Sequence, residues 1–349
     1  RENVLGDVGH QQQIVKPSMT IKTMRAWRSN TKGLAGLELG EAPCPEPKDG
    51  ELLVRVDAAA LNYADLLMID DRYQVRPERP FVAGQELAGT VVAAGQGAGF
   101  AEGDQIASKV VYGGFADYAI VRADMAMRVP AGFSPEAAAA LPIAYTTALI
   151  GLTECTTVSP ADTVLVLAAA GGTGLAMVEV AKHCGAFVIA AAGGADKCAL
   201  TLEHGADIAI DYRRGALIDQ VRAFTIGRGV NVVVDSVGGD STLDALRLLS
   251  WGGRLLIVGF SSGTIPQLPA NRLMLRRLSA IGVYWDNVHD RDAIVRTNER
   301  LSKIVASGEV RPHIGAVFPF DELPKALTAL GDRGTTGKVI LKVAPSTAG

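Results

Sequence analysis

Cysteine is scarce in this chain and never paired: Cys44, Cys155, Cys184 and Cys198 stand far apart. Without a Cys-x-x-Cys pair the usual tetrahedral zinc spacing is missing, and isolated thiols give no disulfide framework. An excess of positive charge is missing too. The net charge is -3, with no long Lys/Arg cluster to offset it, which argues against a nucleic-acid surface. The densest basic group, Arg272, Arg276 and Arg277, reads as a solvated helix face or an oligomer rim. The most apolar window, Ala137 to Leu152, is interrupted by Pro142 and is too short to span a bilayer. No secretory apolar core precedes the first strand, so a cytoplasmic protein is expected.

What remains is 349 residues with 48% hydrophobic and 20% charged content, enough for two globular domains with ample core. The most informative stretch runs from Thr163 to Gly185. Val164 to Ala168 is continuously apolar, as in a parallel strand covered on both faces. Leu175, Val178 and Ala181 then recur at helical spacing and Gly185 supplies a left-handed stop. Gly171, Gly172 and Gly174 between them have one joint reading: side chains there would keep a pyrophosphate from the first N–H groups of the helix. The dinucleotide fingerprint wants glycine where Ala169 stands, so the bare pattern is incomplete and a tight connection without ligand is the competing reading.

The surrounding pattern favours the dinucleotide. Residues 1–23 are polar at first, lack periodicity, and are expected to form a flexible extension or an expression remnant outside the fold. From Met24 to about Ala140 short β segments (Glu51 to Val56, Glu86 to Ala93, Gln105 to Val111, Ala116 to Ile120) are broken by Gly and Pro, which predicts an antiparallel, partly open barrel. From Thr163 strand and helix alternate through Tyr284, with Gly205, Gly229 and Gly252–Gly253 expected where a helix ends and the next strand begins. Six strands with crossovers predict a doubly wound parallel sheet whose glycine turn lies at the carboxyl end of its first strand, where such sheets bind ligands. Past Asp286 a helix, a strand, a second helix and a final strand complete the chain, and pattern alone does not assign them to either half.

The choice of nicotinamide coenzyme is read at the end of the second strand, where an acidic side chain would hold a ribose 2'-hydroxyl. Ala191, Ala192, Gly193 and Gly194 stand there instead. A 2'-phosphate would meet no like charge, Lys197 can supply a countercharge, and Tyr212 is placed to cover the adenine ribose. NADPH is therefore expected, although Lys197 also reads as an ordinary surface lysine.

Several motifs together resemble one family: Leu61-Asn62-Tyr63-Ala64-Asp65, Gly84 to Gly89, Gly103-Asp104, Ala168 to Gly174, Val234 to Gly239, and Val258-Gly259-Phe260 with Ser262-Gly263. Over Met24 to about Val343 the chain is similar to the zinc-free quinone oxidoreductases, relatives of zeta-crystallin in the medium-chain dehydrogenase/reductase superfamily. The resemblance accounts for Ala169. It implies an α/β architecture of two parts, a Rossmann doubly wound parallel sheet and a GroES-like β-barrel catalytic domain. The expected domains are 24–140 for the first catalytic piece, 141–286 for the NADP-binding domain, and 287–349 for a helix and the return to the catalytic domain.

The same resemblance implies a chemistry. Where zinc-dependent relatives use Cys, His and Cys, Asn62 and Gln85 stand, with the third place near Pro142 and Ile143; without that Lewis acid an unactivated alcohol cannot lose its proton. Hydride from NADPH can still reduce a quinone or a double bond conjugated to a carbonyl, given orientation and a hydrogen-bond donor. Asn62 and Tyr73 are implied beside the nicotinamide, with Tyr63 packing nearby. On the residues alone, Asn62 equally closes a turn and Tyr73 equally fills a core. Some relatives carry a further tyrosine where Leu67 stands, so proton delivery from water is favoured over a two-tyrosine scheme. The implied coenzyme contacts are Thr147 at the start of a helix, Gly171, Gly172, Thr173 and Gly174 in the turn, and Ala192, Gly193, Lys197 and Tyr212 at the adenosine end. Ser236 and Val237 end the fourth strand, Val258, Gly259 and Phe260 end the fifth, and Arg333 reaches the adenosine phosphate or makes a surface salt bridge. Glu86 is read as a hydrogen-bond partner rather than an acid. A homodimer pairing Ser279 to Tyr284 across a twofold is implied, with a small-molecule acceptor and neither nucleic acid nor membrane as partner. The competing functions are reduction of an enoyl thioester and a non-catalytic, crystallin-like NADPH-binding protein.

Overall fold

The computed structural model describes residues 21–129 and 132–343. The extension expected at residues 1–23 falls almost wholly outside the described residues.

The first part is built of strands. A small sheet joins β1 (Thr23–Ser29) to β2 (Leu37–Pro43) on one side and to β4 (Phe81–Val82) on the other. Its larger neighbour is centred on β3 (Glu51–Leu61), which pairs antiparallel with β5 (Glu86–Ala94); β6 (Gln105–Lys109) and β8 (Ala126–Arg128) follow, and β7 (Tyr118–Arg122) lies along the first half of β3. β3 runs to Leu61 rather than stopping at Val56 because Ala58, Ala59 and Ala60 are wholly buried and small enough for neighbours to press on both faces. Asn62 then caps the short helix α1 (Tyr63–Ile69), its backbone N–H donating to Asp65 Oδ2 at 2.7 Å.

Two helices, α2 (Pro135–Ala139) and α3 (Pro142–Leu149), lead out of this part, and α3 runs on into a π-helical turn, Ile150–Glu154. The second part is a six-stranded sheet in which every pairing is parallel. Its strands are β9 (Thr163–Val166), β10 (Phe187–Ala192), β11 (Ile208–Asp211), β12 (Val230–Asp235), β13 (Leu249–Ile257) and β14 (Ser279–Gly282), in the spatial order β11-β10-β9-β12-β13-β14. Order reverses beside β9, so a crevice opens at its carboxyl end. The connecting helices are α4 (Gly172–His183), α5 (Ala195–Glu203), α6 (Leu217–Thr225), α7 (Asp240–Leu248) and α8 (Ala270–Arg276). α4 is buried nearly all round, from Gly174 through Ala181, as a central crossover helix must be.

One expectation about glycines fails. Gly252 and Gly253 do not link helix to strand: α7 ends at Leu248, β13 begins at Leu249, and both glycines lie within the strand. There the pairing with β12 shifts register between Val230 and Val232, so they serve an irregularity in the ladder.

After β14 the helix α9 (Arg291–Ala306) packs on α3, and the chain goes back to the first part. β15 (Ile314–Pro319) pairs parallel with β16 (Lys338–Lys342), β16 pairs antiparallel with the end of β3, and α10 (Leu323–Gly331) lies between them in sequence. The last strand therefore carries residues 338–342 to the place where Asn62 leaves β3. Among the described residues no helix is long and apolar enough to cross a membrane.

Candidate active site

The turn after β9 is tighter than its sequence suggests. Ala168 takes a positive φ of 49°, Gly171 caps α4, and the Gly171 N–H donates to the Ala168 carbonyl at 3.1 Å. The three glycines do not share one reason. A Cβ at Gly174 would stand 2.4 Å from the Ala168 oxygen, so that glycine lets helix and turn close on each other. At Gly172 a Cβ would meet Lys338 Cδ at 2.5 Å, which makes room for a side chain from the returning strand. Only at Gly171 would a Cβ meet nothing closer than ordinary contact, the Ala168 oxygen at 3.5 Å, so it alone keeps the reading in which a bare backbone admits a pyrophosphate to the helix N-terminus. Thr173, half-buried, follows in the first turn of the helix.

The returning strand is sewn to this loop. Gly337 N–H donates to the Ala170 carbonyl at 2.8 Å, and Gly171 and Gly337 form an isolated bridge. Gly337 has φ 54°, and a Cβ there would lie 2.2 Å from the His313 oxygen; no other residue fits. The next residue, Lys338, is buried, and its ammonium donates to Glu86 Oε2 (2.6 Å), Asn62 Oδ1 (2.7 Å) and the Leu61 carbonyl (3.2 Å). Glu86 accepts also from Asn62 Nδ2 (2.9 Å) and, through Oε1, from the Ile143 N–H at the start of α3 (2.6 Å). Four segments of chain thus meet on one carboxylate. Glu86 is a hydrogen-bond hub, and both ends of the Asn62 amide are engaged.

Three further groups border this cluster. Asp65 is buried with Oδ1 making no hydrogen bond, and burial pushes its carboxyl up to about 7, against the pull of the Asn62 N–H and of Lys338. Tyr73 is half-buried against the core of the first part. Burial, then the nearby Tyr284 and Asp65, push its phenol up to about 12, so it stays a hydrogen-bond donor at any physiological pH. Lys109 projects from the residue of β6 paired with Glu86. Its ammonium sits 3.9 Å from the centre of the Trp285 ring and donates to the Trp285 carbonyl at 3.2 Å, and burial brings it down to about 8.

Thr147 is not where the sequence suggested. It lies inside α3 rather than at its start, and its hydroxyl accepts from Trp285 Nε1 at 2.9 Å. Ser236, Val237, Val258, Gly259 and Phe260 gather at adjacent strand ends: Ser261 N–H donates to Ser236, Ser262 N–H to Val237, and Val258 N–H to Asp235. At the other end of the crevice, Ala192 is buried and Gly193 lies against Tyr212, whose Oη would stand 2.7 Å from a Cβ there. Lys197 Nζ donates to the Arg333 carbonyl at 2.9 Å, and Arg333 Nη2 to the Ser261 carbonyl at 2.9 Å. Within the protein Arg333 thus links two loops and, among the described residues, makes no salt bridge. An acid does reach this turn, from a neighbouring strand: Asp211 Oδ1 accepts from Gly194 N–H at 2.9 Å.

Sequence reasoning missed Lys338, Lys109 and Trp285. The signal for the first was present: Lys338 and Glu86 are opposite charges at the mouths of apolar runs, Val-Ile-Leu and Leu-Ala, and a charge buried in a strand needs a partner.

Residues 48–131 match the family described as Alcohol dehydrogenase GroES-like domain, and residues 172–300 that described as Zinc-binding dehydrogenase. The chain is 39% identical over 308 residues to the Quinone oxidoreductase-like protein 2 of Bos taurus, covering 87% of this chain and 88% of that protein. The chain belongs to the quinone oxidoreductases of the medium-chain dehydrogenase/reductase superfamily. It shares the architecture of the Escherichia coli quinone oxidoreductase complexed with NADPH, with TM-score 0.85 and 28% identity over 92% of this chain and 100% of that one. The Mycocerosic acid synthase-like polyketide synthase of Mycolicibacterium smegmatis is 29% identical over 92% of this chain, which spans only 15% of that protein. As a member of this family the chain is an oxidoreductase.

The zinc in the name of the second family does not fit the residues present. Among the described residues no three His, Cys, Asp or Glu side chains converge as a metal site. Asn62 is held by Lys338 and Glu86, and Gln85 is buried with Nε2 3.8 Å from Met68 Sδ. The cation beside Glu86 is an ammonium.

Proposed function

We propose that this oxidoreductase transfers hydride from NADPH to quinones or to double bonds conjugated with a carbonyl, without zinc. The observation that carries the reading is the Lys338–Glu86–Asn62 cluster: Asn62, at a position that resembles a metal ligand of zinc-dependent relatives, is an amide held by an ammonium and a carboxylate, and Gln85, at the second such position, is an amide as well. NADPH, when bound, supplies the hydride. The residues of the chain bind and orient. Gly171 leaves the N-terminus of α4 open to a pyrophosphate, while Lys197, Tyr212 and Arg333 border the adenosine end and Ser236, Val237, Val258, Gly259 and Phe260 the nicotinamide end. Asn62, fixed by its two hydrogen bonds, presents one face of its amide to the ring or to the acceptor carbonyl. Tyr73, kept protonated by burial, donates a hydrogen bond to the oxygen on which charge develops. Residues 24–140 and 287–343 are proposed to form the catalytic domain and 141–286 the coenzyme domain.

NADPH oxidation followed with 1,4-benzoquinone, 9,10-phenanthrenequinone and a 2-alkenal, with and without a chelator, tests this. Turnover that is unaffected by chelation is expected; brisk oxidation of a simple primary alcohol would overturn the reading. A second reading, reduction of an enoyl thioester, rests on the similarity to a polyketide synthase, and faster turnover of an enoyl thioester than of any quinone would favour it.

We propose also a homodimer in which β14 pairs across a twofold. That strand is the edge of its sheet and mostly exposed, and the preceding α8 exposes Met274 and Leu275, which invites covering. Light scattering at micromolar concentration should give twice the monomer mass. A cytoplasmic location goes with this reading, supported by four cysteines that are all free thiols.

A further inference from the structure

One cation at the adenosine end has no role so far. Arg213 follows Tyr212 past the end of β11, and its guanidinium lies over the Gly193–Gly194 turn. A Cβ at Gly193 would stand 3.1 Å from its Nε, and one at Gly194 3.6 Å from its Nη1. The basic residues around it are engaged: Arg214 faces Asp211 at 3.6 Å, Lys197 donates to the Arg333 carbonyl, and Arg333 donates to Ser261. Among the described residues the Arg213 guanidinium makes no hydrogen bond and no ion pair; only its backbone N–H does, to Asp211 Oδ1 at 3.0 Å.

Charge counting at the turn gives this free guanidinium a task. Asp211 is held ionised, chiefly by the N–H groups of Gly194 and Arg213, then by the charges of Arg214 and Arg213. A phosphate dianion at the end of β10 would therefore meet the Asp211 carboxylate, whose charge Arg214 at 3.6 Å offsets only in part, with Lys197 as the cation facing it. A second cation beside Lys197 strengthens the attraction for a dianion. The planar fork of an arginine, with its donors unpaired and no Cβ in the way on either glycine, matches phosphate oxygens two at a time.

We propose that Arg213 grips the 2'-phosphate of the coenzyme and sets the preference for NADPH over NADH, with Lys197 in support; this rests on the NADPH reading above. Gly193 is then a glycine for a second reason besides space for the coenzyme, since a Cβ there would press on Arg213 Nε at 3.1 Å. Asp211 orients the Arg213 backbone rather than a ribose hydroxyl.

Calorimetric titration of the full chain with adenosine 2',5'-bisphosphate and with 5'-AMP tests this without turnover. The wild type should bind the bisphosphate more tightly. Arg213→Ala should lose about ten- to a hundredfold on the bisphosphate while 5'-AMP affinity changes less than about twofold, and Arg213→Lys should recover part of the loss. Since Arg213 is exposed, an unchanged melting temperature is expected in both variants. Equal losses on both ligands would mean that Arg213 only stacks on adenine, and unchanged bisphosphate binding would mean that it does nothing there; either overturns the proposal while leaving NADPH in place. A wild type indifferent to the 2'-phosphate would overturn the NADPH reading and this proposal together.

Discussion

The Lys338 ammonium lies 2.6 Å from Glu86 Oε2, although 252 residues separate the two in the chain. Both are buried, so each is tolerable only with the other. Lys338→Met leaves a carboxylate inside the protein with one donor fewer and should cost about 3–5 kcal/mol in chemical denaturation. Adding Glu86→Gln, which keeps the hydrogen bond from Ile143 N–H and removes the charge, should recover a good part of that. Additive losses in the double variant would show that the pair contributes nothing as a pair.

The three glycines of the coenzyme turn should separate by phenotype. Gly174→Ala drives a Cβ to 2.4 Å from a backbone oxygen and should destabilise by roughly 1–3 kcal/mol or more. Gly171→Ala has φ -80° and no neighbour within 3.4 Å, so it should fold as the wild type and lose coenzyme affinity alone. Equal melting temperatures for Gly171→Ala and Gly174→Ala would contradict the assignment of separate roles.

The parallel half of the fold was legible because its signals are local. A four-residue apolar strand, a glycine turn and a helix with apolar residues at 175, 178 and 181 lie within one stretch of chain, and each strand after β9 repeats the pattern. The first half was less so. Ala58 to Leu61 extends β3 past a point where small residues give no alternation, and β15 and β16 are assigned to a sheet only by their partners. At the site, Asn62 and Glu86 were legible through motifs, while Lys338 was legible only as a charge at the mouth of an apolar run that needs some partner, since nothing near it in sequence says that the partner lies in β5. Asp211 was overlooked for a related reason. The expected position of an acid is the end of the second strand, yet the third strand runs beside it and delivers a carboxylate to the same turn.

Asp65 gives a stability prediction with a definite sign. Its carboxyl is raised from 3.8 to about 7 in the fold, by burial, so the folded protein binds more protons than the unfolded chain between roughly pH 4 and 7 and loses stability as pH rises through that window. Asparagine keeps an oxygen for the Asn62 N–H and carries no charge. Asp65→Asn should therefore match the wild type near pH 3.5 and exceed it by on the order of 2–4 kcal/mol at pH 8. A difference that does not change with pH would reject burial of the charge as the cause.

Lys109 gives the opposite case at the contact between the two parts. Its ammonium is brought from 10.5 to about 8, by burial against Trp285, so between about pH 8 and 10.5 the unfolded chain binds the extra proton and the folded protein gains stability as pH rises. Lys109→Met keeps the apolar stem over the indole and removes the titration. Unfolding by urea at pH 7.5, 9 and 10 should show the wild type gaining on Lys109→Met at each step, whatever the other groups of the protein do, because those are common to both. The gain should vanish in Lys109→Arg, whose charge persists across the range. A wild type that instead falls behind Lys109→Met as pH rises would mean that the ammonium is stabilised by Asp286, Glu86 and Asp290, the acids whose charges reach it, more than it is penalised by leaving water.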